Sequence, residues 1–431
     1  MTRVIEWIIS LVIVIALFVA IGLFLPSTRT VSHSVETNRP MSTVNDILNG
    51  FTRFKDWNAL INYDPRMTLT TSGPETGVGA KLDFVSQQAT VGEGSWEIVE
   101  SEPGEKIVYA LQTPGRGENK RMTIRFERTG QRNQNVKITQ RYTVDYGYDL
   151  FGRYAGLYVT DKIGDDMKRG LEKLSNLLTT IPRFDYSQHE PGFEFVDLPA
   201  VNALVVTTAA KRANDDIALA MTNQDKWIEQ VMEKNGLEPA GPMRIVTNEF
   251  TTDTYGFDVV QPIRKKGTGP APAADEGSEG EGNEPAADAA DAAPVATAPV
   301  DPNAPLERYL VKVEGPVLYV QYPAIRAAKT SYTGPSPGLP RVRDLVRAWS
   351  MVRGAEPVDR PYEEYLDAIK DMLSEEAEFN VYWPVRVPGV EAADPVQIAP
   401  EPAAETPEGE AAPADAEAPA DAAPAEAPAA A

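Results

Sequence analysis

The apolar pattern opens on an unbroken run. Trp7 to Leu25 reads WIISLVIVIALFVAIGLFL, with Ser10 and Gly22 as its sole non-apolar members. At ~1.5 Å per helical residue it spans roughly 28 Å, close to the hydrocarbon core of a bilayer. Trp7 stands where an interfacial aromatic stands, and Pro26 stops the helix. A cleaved secretory signal has a shorter apolar region followed by small residues, and LPSTRT is a poor match. Residues 1–28 are therefore expected to be an uncleaved transmembrane anchor. The period then drops to two. TRTVSHSVETN alternates Val31, His33 and Val35 and predicts a strand. Val44, Ile47, Leu48 and Phe51 recur at helical spacing behind Pro40, predicting a short helical pair. Six short runs follow between Gly/Pro turns, from MTLTT to NVKITQRYTVD, and predict a curved antiparallel meander. Ile163, Met167, Leu171, Leu174 and Leu178 keep a helical period up to Pro182, so a long helix is expected to close this unit.

The second half repeats itself. FDVVQPI, from Phe257, returns as FNVYWPV from Phe379. LPAVNAL, from Leu198, parallels YPAIRAA from Tyr322. GLEP, from Gly236, parallels GAEP from Gly354, and Glu249–Phe250 is set against Glu364–Tyr365. Two copies of a strand–helix–turn–strand–strand unit are expected, separated by the segment 267–305.

Charge sharpens this division. The formal net charge is −22. Residues 267–305 hold eight acids and no base, and residues 387–431 hold ten acids and no base. Without them the chain is near −4. Both segments are rich in Ala, Pro, Glu and Asp and lack the apolar side chains that offset ordering entropy, so disorder is expected there. No basic stripe marks a nucleic-acid footprint. The chain has no cysteine and two histidines, His33 and His189, which excludes disulfides, thiolate chemistry and a His-rich metal site. No cofactor and no metal are expected. Arg3 precedes the apolar run and Arg29 and Arg39 follow it, a nearly even balance. We place the N-terminus in the cytoplasm and the remainder in a bacterial periplasm, anchored singly in the inner membrane.

FKDWNALINYDP, GPETGVGAKLDF, VGEGSWEIVESEPGEKIVYAL and DKIGDDMKRGLEKL, in that order within residues 29–183, resemble the START-like (SRPBCC) superfamily, in its polyketide-cyclase/dehydrase-like branch. The resemblance implies a helix-grip fold, a bent sheet around a long helix with an apolar cavity between them. Beyond the hinge RFDYSQHEPG, the duplicated stretch 190–386 resembles the GyrI-like family, the effector-binding domain of AraC-type regulators. That resemblance implies a concave surface for small cationic or aromatic molecules, with an acidic residue in the second unit. The matching position is Glu364, with Glu363 as the neighbour that a one-residue register change would substitute. No AraC-type DNA-binding helices accompany it. The whole is expected to be an α+β protein.

Candidate ligand-binding residues are Glu364, Tyr362, Tyr365, Trp349 and Trp383 in the second domain, where aromatic faces beside a carboxylate would hold a cation, and Trp57 and Trp96 in the first. Core packing is the competing role for Trp349 and for Trp227, and for Trp57 and Trp96 a cavity wall. Asp56 and Asp64 flank Trp57 and suit turns and caps better than an acid–base pair. No residues are assigned to catalysis. The expected function is a membrane-anchored binding protein for a small hydrophobic or amphipathic ligand, with a second cationic or aromatic ligand groove. A cyclase-like or hydrolytic enzyme, or an envelope scaffold, are the alternatives.

Overall fold

The computed structural model describes residues 2–89, 91–268, 306–386 and 394–399. Most of the two acidic segments thus lies outside the described residues. The apolar run folds as α1 (Thr2–Phe24), whose side chains are exposed along nearly its whole length. Among the described residues it is the one helix long and apolar enough to cross a membrane, with a mean hydropathy of 3.0.

The first sheet is built from β1 (Thr28–Thr37), β2 (Thr68–Ser72), β3 (Lys81–Val85), β4 (Glu93–Glu102), β5 (Lys106–Gln112), β6 (Glu118–Thr129) and β7 (Asn135–Asp145). Their order is β1-β7-β6-β5-β4-β3-β2, antiparallel throughout. Every strand expected in this stretch falls on one of them. Register shifts at Ile98/Glu100 and between Glu118 and Arg121 let the sheet bend. Short helices α2 (Met41–Leu48) and α3 (Phe54–Trp57) follow β1. After β7 come α4 (Leu150–Ala155), which the sequence pattern had not announced, and α5 (Val159–Thr180). α5 buries Met167, Leu171, Leu174 and Leu178, the stripe its periodicity predicted. Tyr109 is fully buried, and its hydroxyl donates to the Leu48 carbonyl, which ties α2 to the sheet.

Gly77 (φ +81°), Gly79 (φ +89°) and Gly92 (φ +63°) sit in turns that require left-handed backbone. Gly94 has a different reason. It lies inside β4, where a Cβ would strike the Gln112 carbonyl and come within 2.6 Å of the Phe84 ring. Gly94→Ala is expected to destabilise the domain by about 2 kcal/mol through overpacking, read as a lower urea midpoint at unchanged m.

The second sheet contains β8 (Glu194–Leu198), β9 (Val201–Lys211), β10 (Leu237–Pro239), β11 (Met243–Phe250), β12 (Thr254–Lys265), β13 (Leu318–Tyr322), β14 (Ile325–Thr333), β15 (Glu356–Pro357), β16 (Tyr362–Tyr365), β17 (Glu378–Arg386) and β18 (Val396–Ile398). Helix α6 (Asn214–Lys234) follows β9, and α7 (Leu339–Val352) follows β14. Two strands, a helix, a short strand and two further strands therefore occur twice in succession. The sheet order β18-β13-β9-β12-β11-β16-β17-β14-β8 is palindromic under exchange of the two units, β18 aside. Each unit's first strand crosses to the other unit's edge: β13 pairs β9, and β8 pairs β14.

The centre of this palindrome lies where Ile245 faces Glu363. Phe257 pairs Thr247 and Phe379 pairs Tyr365, so Thr247, not Phe250, is the equivalent of Tyr365. The set Glu249–Phe250 against Glu364–Tyr365 is thus three residues out of register. A bulge between Thr247 and Glu249 and the longer β16–β17 connection displaced the apparent match. Two further expectations are corrected. Trp227 is 40% exposed rather than core, since it sits on α6 over the backbone of Gly315. Val396–Ile398, within the segment expected to be disordered, adds a strand to β13. It alternates Val396 and Ile398 around a polar residue, unlike the Ala/Pro runs beside it.

The two sheets meet through helix ends. Arg53, at the start of α3, donates to the Met351 carbonyl of α7 at 3.0 Å, and in the segment that connects the two units the Tyr186 hydroxyl donates to Asp46 of α2 at 2.8 Å.

Candidate functional site

A cavity of about 590 Å³ lies between the first sheet and α5. Its walls include Trp57, Phe84, Val91, Trp96, Leu111, Met122, Tyr142, Ile163 and Met167. Both first-domain tryptophans expected at a cavity wall are therefore there. Trp57 is carried in by α3 and Trp96 by β4, and Phe54 holds them together by edge contacts at 5.7 and 5.3 Å.

The inward row of β7 reads Val136, Ile138, Gln140, Tyr142, Val144. A carboxamide thus interrupts an apolar row at a position the strand period turns inward. Gln140 is 3% exposed and lines the cavity. Its Oε1 is buried without a hydrogen-bond partner, as are Nε1 of Trp57 and Nε1 of Trp96. Leaving a buried polar atom unpaired costs on the order of 1–3 kcal/mol, so three on one cavity are not a packing solution. All three belong to residues of the cavity wall and are themselves covered by their neighbours. Burial pushes the Tyr142 hydroxyl well above the ordinary phenol range, so it stays protonated.

The mouth is polar. Tyr63, Lys162 and Asp166 line it, and the Tyr63 hydroxyl donates to Asp166 at 2.7 Å, which raises its pKa. Asp64 lies elsewhere. It accepts from Ser86 at 2.5 Å and from the Arg66 amide at 3.0 Å, and the Ser86 bond holds its carboxyl below the usual range. Asp56 pairs with Arg53. Both play local turn and helix-end roles. His33 faces α5 at Gly164 and does not line the cavity.

In the second sheet, β16 puts its four residues alternately on two faces, all buried. Glu364 and Tyr362 share one face. Glu364 takes Arg244 at 3.1 Å, the Tyr382 hydroxyl at 2.8 Å and Asn380 at 3.4 Å. Tyr362 stacks on Tyr382 at 4.8 Å with an interplanar angle of 11°, and the Arg244 guanidinium lies 5.3 Å from the Tyr362 ring. Burial, then the Glu364 charge, pushes the Tyr382 hydroxyl upward. Glu363 points the other way and pairs with Arg343 of α7. Tyr365 goes with Glu363, by the alternation of the strand. Trp383, one residue past Tyr382, also packs on the helix side, beneath Arg347 of α7. Trp349 is core, packed on Phe193 and Phe195. Of the five second-domain candidates, Glu364 and Tyr362 stand together. Tyr365, Trp383 and Trp349 lie on the opposite side.

Residues 28–179 match the sequence profile of the family described as polyketide cyclase / dehydrase and lipid transport. They carry a polyketide cyclase/dehydrase-like domain. No curated protein matches the chain. Among solved structures, the EcmrR C-terminal domain is similar at 15% identity over 45% of this chain and 96% of its own, with a TM-score of 0.30. Truncated norcoclaurine synthase from Thalictrum flavum is similar at 15% identity over 34% and 92%, with a TM-score of 0.27. A Thermobifida fusca protein solved by NMR is similar at 20% identity over 35% and 93%, with a TM-score of 0.26.

The cyclase/dehydrase-like domain holds the cavity and all its lining residues. Gln140 and Tyr142 were missed in the sequence, although an inward Gln in an alternating apolar row is a visible signal. Arg244 and Tyr382 were missed because cross-strand register, which brings Arg244 opposite Glu364, is set by the fold.

Proposed function

We propose that the cyclase/dehydrase-like domain binds an amphipathic small molecule in the cavity between its sheet and α5. The observation that carries this is the cavity itself, about 590 Å³, with Trp57, Phe84, Trp96, Leu111, Met122 and Met167 on its walls and Lys162 and Asp166 at its polar mouth. Apolar walls with a polar mouth fit a ligand with an apolar body and a polar end, and rotation of the Trp57, Trp96 and Gln140 side chains would offer that end two N–H donors and a carbonyl, which suits a hydroxyl, a protonated carboxyl or a primary amide. The inner polar groups are neutral, which suits holding a ligand better than moving protons, so binding is favoured over cyclase or hydrolase chemistry. We further propose that α1 anchors the chain in a bacterial inner membrane with the two sheets on the periplasmic side.

The palindromic second sheet supports placing residues 190–386 with the GyrI-like effector-binding domains. Its Glu364 carboxylate is filled from within by Arg244 and Tyr382. A cationic ligand there would have to displace an arginine already seated over an aromatic ring, so the first cavity is the primary site.

The test is extraction of the detergent-purified full chain with organic solvent and identification of the extract by mass spectrometry. One amphipathic class is expected to co-purify stoichiometrically. Trp57→Phe with Trp96→Phe keeps one aromatic ring at each position, removes both N–H donors with the pyrrole rings that carry them, and is expected to cut retention about tenfold or more, at ~1 kcal/mol per hydrogen bond. An empty extract, or equal retention by the double variant, sinks the proposal.

A further inference from the structure

The connection between β7 and α5 exposes an apolar cluster beside the membrane-type helix. Tyr148 is 92% exposed, Phe151 63%, Leu157 48% and Tyr158 65%. Isolated apolar side chains are ordinary on a soluble surface, but a contiguous group marks an interaction site. This group is continuous with α1. The Tyr154 ring stacks on Phe18 at 4.6 Å, its hydroxyl donates to the Phe18 carbonyl at 2.8 Å, and Phe151 meets Phe18 at 5.2 Å. Gly22 admits this approach, since a Cβ there would lie 3.2 Å from both Leu150 and Tyr154. Arg153 donates to the carbonyls of Gly22, Leu23 and Leu25 at 3.3, 3.0 and 3.1 Å. Those are the acceptors a helix C-terminus leaves open.

Phe18 lies about two turns before Leu25, so α4 runs alongside roughly the last 10 Å of the apolar helix. Interfacial segments bury their apolar face ~5–10 Å deep, and tyrosines gather at the headgroup level. We propose that Tyr148–Tyr158 is a wedge inserted into the surface of the same bilayer that α1 enters, with lipid as the partner of its exposed aromatic side chains.

The wedge is also fastened to the cavity mouth on two sides. Thr113, Pro114 and Gly115 form one rim, and the next residue, Arg116, pairs with Asp149 at 3.0 Å and lies 5.5 Å from the Phe151 ring. The other rim, Lys162, Ile163 and Asp166, belongs to the first turns of α5, directly after Tyr158. An inserted wedge therefore holds the mouth at the lipid surface. Resting on the cavity reading above, the ligand is a bilayer lipid or a molecule dissolved among lipids, which enters without crossing bulk water.

The chain has no cysteine, so a single introduced one is a unique label. Full-length Phe151→Cys, Tyr158→Cys, Val12→Cys and Arg132→Cys, each carrying a bimane fluorophore, are reconstituted in phosphatidylcholine/phosphatidylglycerol vesicles containing lipids spin-labelled at shallow or deep positions. Positions 151 and 158 are expected to lose most of their emission to the shallow quencher, position 12 to the deep one, and position 132, on an exposed turn, neither. If 151 and 158 behave like 132, the wedge is overturned. If 12 also escapes quenching, the wedge falls together with the anchor. Ligand extraction is read on the same preparations, so failure of the wedge shows in the quenching and failure of the cavity reading shows in the extract.

Discussion

Arg343→Ala is expected to lower the stability of the second sheet by about 3–5 kcal/mol, the cost of leaving a buried carboxylate without its counter-charge. Glu363 is fully buried at the centre of the palindromic sheet. Arg343 reaches it from α7 with both Nε and Nη2, the latter at 2.8 Å, and Nη2 also donates to the Tyr255 hydroxyl at 3.2 Å. Burial disfavours the guanidinium charge, but Glu363 outweighs it and holds the arginine firmly protonated. Removing the arginine leaves Glu363 among Ile245, Val259 and Val381, which cannot solvate it. The palindrome supplies the control. The equivalent of Glu363 in the first unit is Ile245, so that environment already accepts an aliphatic side chain. Glu363→Ile with Arg343→Met should recover most of the loss, because a buried ion pair exchanged for packed apolar groups is often neutral. Urea midpoints followed by tryptophan emission measure both variants. A loss under about 1 kcal/mol for Arg343→Ala would show the carboxylate to be solvated or protonated.

The same pair shows how far the sequence can be read. The closing strands FDVVQPI and FNVYWPV announced the repeat because their spacing is local to each unit. The α5 stripe and the β1–β7 meander were legible for the same reason, since period sets which side is buried. Face was not legible once two candidates were adjacent. Glu363 and Glu364 differ by one residue, and only pairing with β11 and β17 decides that Glu364 meets Arg244 while Glu363 meets α7. The stretch from α4 to Tyr158 carries Leu150, Phe151, Tyr154, Leu157 and Tyr158 at helical spacing, but Gly152 and Gly156 interrupt it and its partner is an apolar helix about 130 residues earlier. Trp57 and Trp96 are legible at the cavity wall through the family resemblance, and Gln140 is legible in β7 as the inward position that breaks an apolar alternation.

Gln140→Leu is expected to move stability and ligand retention in opposite directions. Leucine fills a volume close to that of glutamine and continues the row Val136, Ile138, Tyr142, Val144. It also removes an Oε1 that has no partner in the empty cavity. Relief of that cost should raise the stability of the ligand-free chain by about 1–2 kcal/mol, or a few degrees in Tm. Retention of the co-purifying amphipath should fall about tenfold, because its donor group loses the acceptor that oriented it. Stability must be compared after exhaustive detergent exchange, since a bound ligand stabilises the wild type by mass action and would mask the gain. A glutamine with a structural role gives the reverse signature: the variant is less stable and holds the ligand equally well. A residue that weakens the empty protein and strengthens the filled one is placed for the ligand, because packing alone would have replaced it with leucine.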